Sequence, residues 1–224
     1  MSLYAPIALC FILYTAAFLV MLLLMPGIKL RHQLQASLLG LAAVLPIAFC
    51  EYIILGLPVF TAHTFVSVMI TAIIFNGLIE ETLKMIFMLP LPAKKLELPF
   101  FLAASVLCGL TLGSFESVIY FLHRLQLIGM ESARAALMLI TVRMFTSVLV
   151  HAFCAGLSGL FIWAYRRGRT AYTPFILAAL LHGLYNFFAG FSTGYRYFSF
   201  VVIIFAAIKC RVWYKKLTTE ETSS

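Results

Sequence analysis

Residues 64–89 read TFVSVMITAIIFNGLIEETLKMIFML. These 26 residues carry only three charged side chains, Glu80, Glu81 and Lys84. A helix needs about 20 apolar residues to cross the hydrocarbon of a bilayer, so the run is long enough to span one. By insertion scales each ionisable group costs roughly 2.5–3.5 kcal/mol at a helix centre. Three such groups must therefore face other protein or a water-filled cavity rather than lipid. The stretch reads as a membrane helix with one polar face turned inward.

The rest of the chain has the same character. Of its 224 residues, 63% are hydrophobic and 11% charged, whereas a soluble domain is about 45–50% apolar and about 25% charged. Six further candidate spans lie at roughly 3–25, 35–57, 99–121, 135–164, 171–190 and 197–213, separated by turn and charge signals such as Pro26-Gly27, Gly56 to Pro58, and the prolines 90, 92 and 99. The expected fold is all-α and polytopic, about seven transmembrane helices in one domain over 1–224. The core that holds the buried charges is placed at about 64–190, and a polar, frayed cytoplasmic tail at 214–224. The first span lacks a charged leading segment and is too long for a signal-peptide core, so it reads as a retained helix. No loop is large enough for a soluble domain, which puts any chemistry inside the spans.

The net charge of +8 follows from topology. Lys29, Arg31, Lys94, Lys95, Arg166, Arg167, Arg169, Lys209, Arg211, Lys215 and Lys216 fall on one side of the expected bundle; Arg124, Arg134 and Arg196 fall on the other. Positive residues favour the cytoplasmic face, so the N-terminus is expected outside and the C-terminus inside. This distribution makes a nucleic-acid patch unnecessary. The five cysteines form no CxxC pair and read as buried apolar residues.

Beyond Glu80, Glu81 and Lys84, the spans hold Glu116 and Arg143, with His151, His182 and Asn186. Unpaired, the five charges would oppose insertion by on the order of 15 kcal/mol. At about 100° per residue, Lys84 lies about 40° from Glu80 and about 60° from Glu81, close enough to neutralise either. The two glutamates point about 100° apart, so one can face a cavity while the other braces the helix. His182 and Asn186 share a face, as do Glu116 and Tyr120. Gly109 and Gly113 form a GxxxG pair that suits close helix packing. Arg143 is read as the charge partner of a buried glutamate. Glu51 is read as interfacial, and His32, His63 and His123 as residues of span ends.

In chain order these residues give E-E-x-x-K (Glu80, Glu81, Lys84), G-x-x-E (Gly113, Glu116), H-x7-G (His151, Gly159) and H-x-x-x-N (His182, Asn186). The set resembles the PrsW family of intramembrane proteases, which is related to the CAAX prenyl endopeptidase and bacteriocin-processing superfamily. The match covers about 76–190. Where the family often has Phe four residues before the second-motif Glu, this chain has Leu112. The resemblance implies hydrolysis of a peptide bond in or near the membrane. The implied partner is a membrane-anchored protein, for example an anti-sigma factor, in a bacterial cytoplasmic membrane.

Peptide hydrolysis needs an activated water, a proton shuttle and donors for the developing oxyanion. Glu80 or Glu81 is the expected base, with Glu80 preferred by analogy. His151 would assist the water, His182 and Asn186 would donate to the oxyanion, and Glu116 would orient a histidine or share the water. Lys84 and Arg143 would support the charges. Two histidines and a carboxylate also suit zinc, with His151, His182 and Glu116 as the expected set. No metal is favoured at this level, because there is no HExxH and Lys84 would repel a cation. Ser147 shares a face with His151, yet no nucleophile elbow stands out. The rival readings are a proton-coupled transporter or channel, and a non-catalytic membrane scaffold. No inverted repeat supports a transporter.

Overall fold

A computed structural model of the chain describes residues 4–57, 64–128, 133–191 and 194–222; Pro58 and His63 lie outside them. Every regular element among the described residues is helical. In chain order they are α1 (Tyr4–Cys10), α2 (Ile12–Leu24), α3 (Leu30–Leu55), α4 (Phe65–Ile70), a π-helical turn (Thr71–Asn76), α5 (Gly77–Met88), α6 (Leu98–Ile128), α7 (Ala133–Phe145), α8 (Ser147–Arg166), α9 (Thr173–Ala189), a 3-10 turn (Gly194–Tyr197) and α10 (Phe198–Thr222).

Among the described residues, five helical segments are long and apolar enough to cross a bilayer: Leu30–Ile54, Phe65–Met88, Leu98–His123, Leu137–Arg166 and Gly194–Glu221. The pair α1 and α2, bent by 48°, makes a sixth if it acts as one span. Helix α9 is apolar but has only 17 residues. Large apolar side chains such as Leu23, Leu45 and Phe49 point outward, as expected of a surface that meets lipid tails.

Helices α6 and α8 form the centre. In their most apolar stretches 72% and 78% of residues are buried, against 22–28% in the other full-length spans. Small residues make this pairing intimate. A Cβ on Gly109 would meet the backbone of His151, and one on Gly113 would meet Val148 and the His151 ring. The GxxxG pair therefore presses α6 against the turn of α8 that carries His151. A second close approach joins α5 to α9. Gly183 lies against the backbone of Ala72 and Ile73, and Gly77 against that of Ala179 and Gly183. The π-helical turn sits at this contact, directly before the EETLK segment. Such turns concentrate at functional sites because they re-aim the helix that follows.

Two expectations need correction. The segment 3–25 is not one straight helix: it breaks at Phe11, whose ring packs edge-on against Phe115 at 4.9 Å. The segment 135–164 stays one span, Leu137–Arg166, in which α7 and α8 meet at Thr146, where the hydroxyl bonds back to the Val142 carbonyl at 2.8 Å and accepts from the Tyr185 hydroxyl at 3.1 Å. Side chains that compete for backbone partners in this way loosen a helix. The tail is not frayed over most of its length: α10 continues to Thr222, tied to the α8 end by Arg167–Glu221 at 3.3 Å and Arg169–Glu220 at 3.8 Å.

Candidate active site

The polar residues of five helices meet beside the α6–α8 centre. Helix α5 supplies Glu80, Glu81 and Lys84; α6 supplies Glu116; α7 and α8 supply Arg143, Ser147, His151 and Ser158; α9 supplies His182 and Asn186. All eight site residues named from the sequence fall in this one network.

The two adjacent glutamates have different surroundings. Glu81 is wholly buried. Its Oε1 accepts from the Lys84 ammonium and from His182 Nδ1 at 2.6 Å, and its Oε2 accepts from the Ser158 hydroxyl at 3.1 Å. Both of its oxygens have donors, and it has no room to act on a substrate. Glu80 instead faces the cluster of rings and a cavity. Its Oε1 accepts from Asn186 Nδ2 at 2.9 Å, while its Oε2 stands 3.1 Å from His182 Nε2 and 4.0 Å from His151 Nδ1. Lys84, which the sequence could pair with either glutamate, is committed to Glu81.

Glu116 stands on the far side of His151. It takes the hydrogen of His151 Nε2, a bond at 2.8 Å from Arg143, and one at 3.3 Å from the Ser147 hydroxyl. Arg143 also covers the Tyr120 ring at 4.1 Å. Ser147 is thus bound to Glu116 and Arg143, with no bond to His151.

These bonds decide how the imidazoles are oriented. A carboxylate offers only acceptors, so Glu81 takes the Nδ1 hydrogen of His182 and Glu116 takes the Nε2 hydrogen of His151. In the neutral rings that leaves lone pairs on His182 Nε2 and His151 Nδ1. Both face Glu80. The rings lie edge to face with centroids 4.6 Å apart. His151 Nδ1 is buried with no hydrogen-bond partner, which is costly unless something else occupies it. Ligand atoms of Glu80, His151 and His182 all lie within 4.8 Å of one another. Three electron pairs converging in a buried place fit a cation. Carboxylates on the outer ring nitrogens are the usual support of metal-binding histidines. Of the set expected for zinc, the two histidines stand here, but the third ligand is Glu80, because Glu116 is engaged behind His151.

A family model described as PrsW family intramembrane metalloprotease matches residues 29–208. The chain belongs to the PrsW family. Comparison with curated proteins and with solved structures gave no match. PrsW membership makes this an integral membrane protein of an intramembrane protease family, and a membrane peptidase is the activity class that it supports. The described PrsW core brings its four motifs together across α5, α6, α8 and α9, although they are spread over about a hundred residues of sequence.

Two residues that sequence reasoning passed over also belong here. Ser158 lies seven positions after His151, two turns along the same face of α8, and that spacing was the available signal. Glu51, read as interfacial, instead lines the cavity with Glu80, Glu116 and His151. Its signal was a charge in an otherwise apolar span, at the same side of α3 as Val44 and Ile47.

Proposed function

We propose that the chain is a metal-dependent intramembrane peptidase in which Glu80, His151 and His182 hold a divalent metal, with zinc best matching two nitrogens and one oxygen. The observation that carries this reading is the partnerless, buried Nδ1 of His151, aimed with His182 Nε2 at the Glu80 carboxylate. When bound, such a metal polarises the scissile carbonyl and makes water a better nucleophile.

The protein's own groups then have separate tasks. Lys84 and Ser158 hold Glu81, which fixes the His182 ring. Arg143 and Ser147 hold Glu116, which fixes the His151 ring. Asn186 donates to Glu80 and sets the angle of its carboxylate. Pairing Lys84 with Glu81 also removes the objection that its charge would repel a metal. The substrate is a membrane-anchored protein, of the anti-sigma-factor kind, cut in or beside its membrane segment. The protein lies in a bacterial cytoplasmic membrane as seven spans, N-terminus outside.

A metal-free variant has its own support. His182, when its ring carries both hydrogens, and Asn186, at 3.1 and 2.9 Å from Glu80, are the donors that the sequence pattern assigns to an oxyanion, with Glu80 as base. The peptidase reading common to both is tested by comparing new protein N-termini in membranes of cells expressing wild type or Glu80→Gln at equal levels. Termini within or beside a membrane span are expected in the wild type and absent in the variant. Identical sets would overturn it.

A further inference from the structure

The cavity in front of the cluster is lined by Glu51, Glu80, Glu116 and His151 against an apolar wall that includes Ile47 and Leu112. Its volume of about 60 Å³ exceeds the roughly 10–15 Å³ that one water needs. Water placed there has those four polar side chains as partners.

The four glutamates near the cluster are not equally available. Glu81 has every oxygen bonded and no exposure. Glu116 is held by Arg143, Ser147 and His151. Glu80 is taken up as a ligand. Glu51 comes from α3, on the other side of the cavity, which it lines together with Glu80. The lysine and arginine ion pairs among the described residues go to Glu81, Glu116, Glu220 and Glu221, none to Glu51. Glu51 is therefore a carboxylate on the cavity wall that takes part in none of those lysine or arginine ion pairs.

We propose that Glu51 is a further catalytic residue, the proton carrier of the hydrolysis. The proposal rests on the peptidase reading above. The water in the cavity loses a proton to the Glu51 carboxylate as its oxygen bonds to the scissile carbonyl carbon. The C–N bond then breaks, and the Glu51 carboxyl returns that proton to the leaving nitrogen. The products are a new carboxyl terminus and a new amine, and Glu51 is restored. No other reactant is needed. Glu51 lies outside the four motifs, on a helix contributed from before them, so the motifs alone would leave the reaction without a free base once Glu80 is a ligand.

The experiment uses the full chain in cells and purified in detergent, with Glu51→Gln, Glu51→Asp and Glu80→Gln beside the wild type. Two quantities are read: the rate at which the new termini appear in a pulse-chase, and zinc bound per protein after loading with zinc alone. The expected result is a loss in rate of about 100-fold or more for Glu51→Gln, in the range a general base supplies, with zinc content unchanged and a partial return of rate in Glu51→Asp. The retained zinc shows that the variant site is intact. A Glu51→Gln rate within threefold of wild type would overturn the proposal, and so would loss of zinc matching that of Glu80→Gln, which would make Glu51 a ligand. If wild type and Glu80→Gln yield the same termini, the peptidase reading falls first, and this proposal with it.

Discussion

His182 Nδ1 lies 2.6 Å from Glu81 Oε1, and this contact settles which nitrogen of the ring looks into the site. Because Glu81 can only accept, the ring hydrogen stays on the buried side and the Nε2 lone pair faces Glu80. In the proposed site the carboxylate orients the ring. Glu116 has the same relation to His151.

Removing the outer carboxylate of His151 should therefore weaken the site without dismantling it. Glu116→Gln is expected to lower zinc affinity by about 10–100-fold, the usual effect of losing the support of a ligating histidine. Titrating zinc-loaded protein with a competing chelator measures this directly. An affinity equal to that of the wild type would mean that the carboxylate does not orient the ring.

Lys84 and Glu81 are both fully buried and bonded to one another. Lys84→Met strands a buried carboxylate and should destabilise the protein by about 3–5 kcal/mol. The double change Lys84→Met with Glu81→Gln should recover part of that loss, since no lone charge remains. Thermal unfolding in detergent micelles gives both values. A double variant no more stable than Lys84→Met would contradict the pairing.

Gly183 touches the backbone of Ile73, so an added Cβ has only rigid chain to push against. Gly183→Ala should cost about 1–3 kcal/mol as an overpacked contact, and should also lower cleavage, because it moves His182 and Asn186 away from Glu80. Gly190→Ala is the control. Its nearest neighbours would be at 3.4 and 3.5 Å, and stability should change by less than about 0.5 kcal/mol. Melting curves of the two proteins, recorded with the yield of new termini, separate the outcomes.

The site was largely legible in the sequence, because a charge inside an apolar span is expensive and must have a reason to be there. Glu80, Glu116, His151 and His182 stood out on that ground. What the sequence left open was direction around the helix. Lys84 is within one turn of both glutamates, and only the arrival of Ser158 and His182 at Glu81 decides between them. Glu51 was misplaced for a related reason. Its position near the end of a span suggested the interface, yet its side chain turns laterally into the cavity. Ser158 was passed over because a hydroxyl in a membrane helix is ordinary packing material. The break at Phe11 and the junction of α7 and α8 at Thr146 leave hydropathy unchanged, so no apolar window could register them. The helical course of the C-terminal segment depends on ion pairs to Arg167 and Arg169, which are tertiary.

The most direct test of the central claim is to follow the new protein N-termini in isolated membranes before and after a membrane-permeant zinc chelator, and again after zinc is restored, with Glu80→Gln membranes alongside. The account predicts that the termini stop forming on chelation, resume with zinc, and never form in Glu80→Gln. Termini that continue to form under the chelator, yet still require Glu80, would contradict the metal centre and leave Glu80 as the base of a metal-free peptidase.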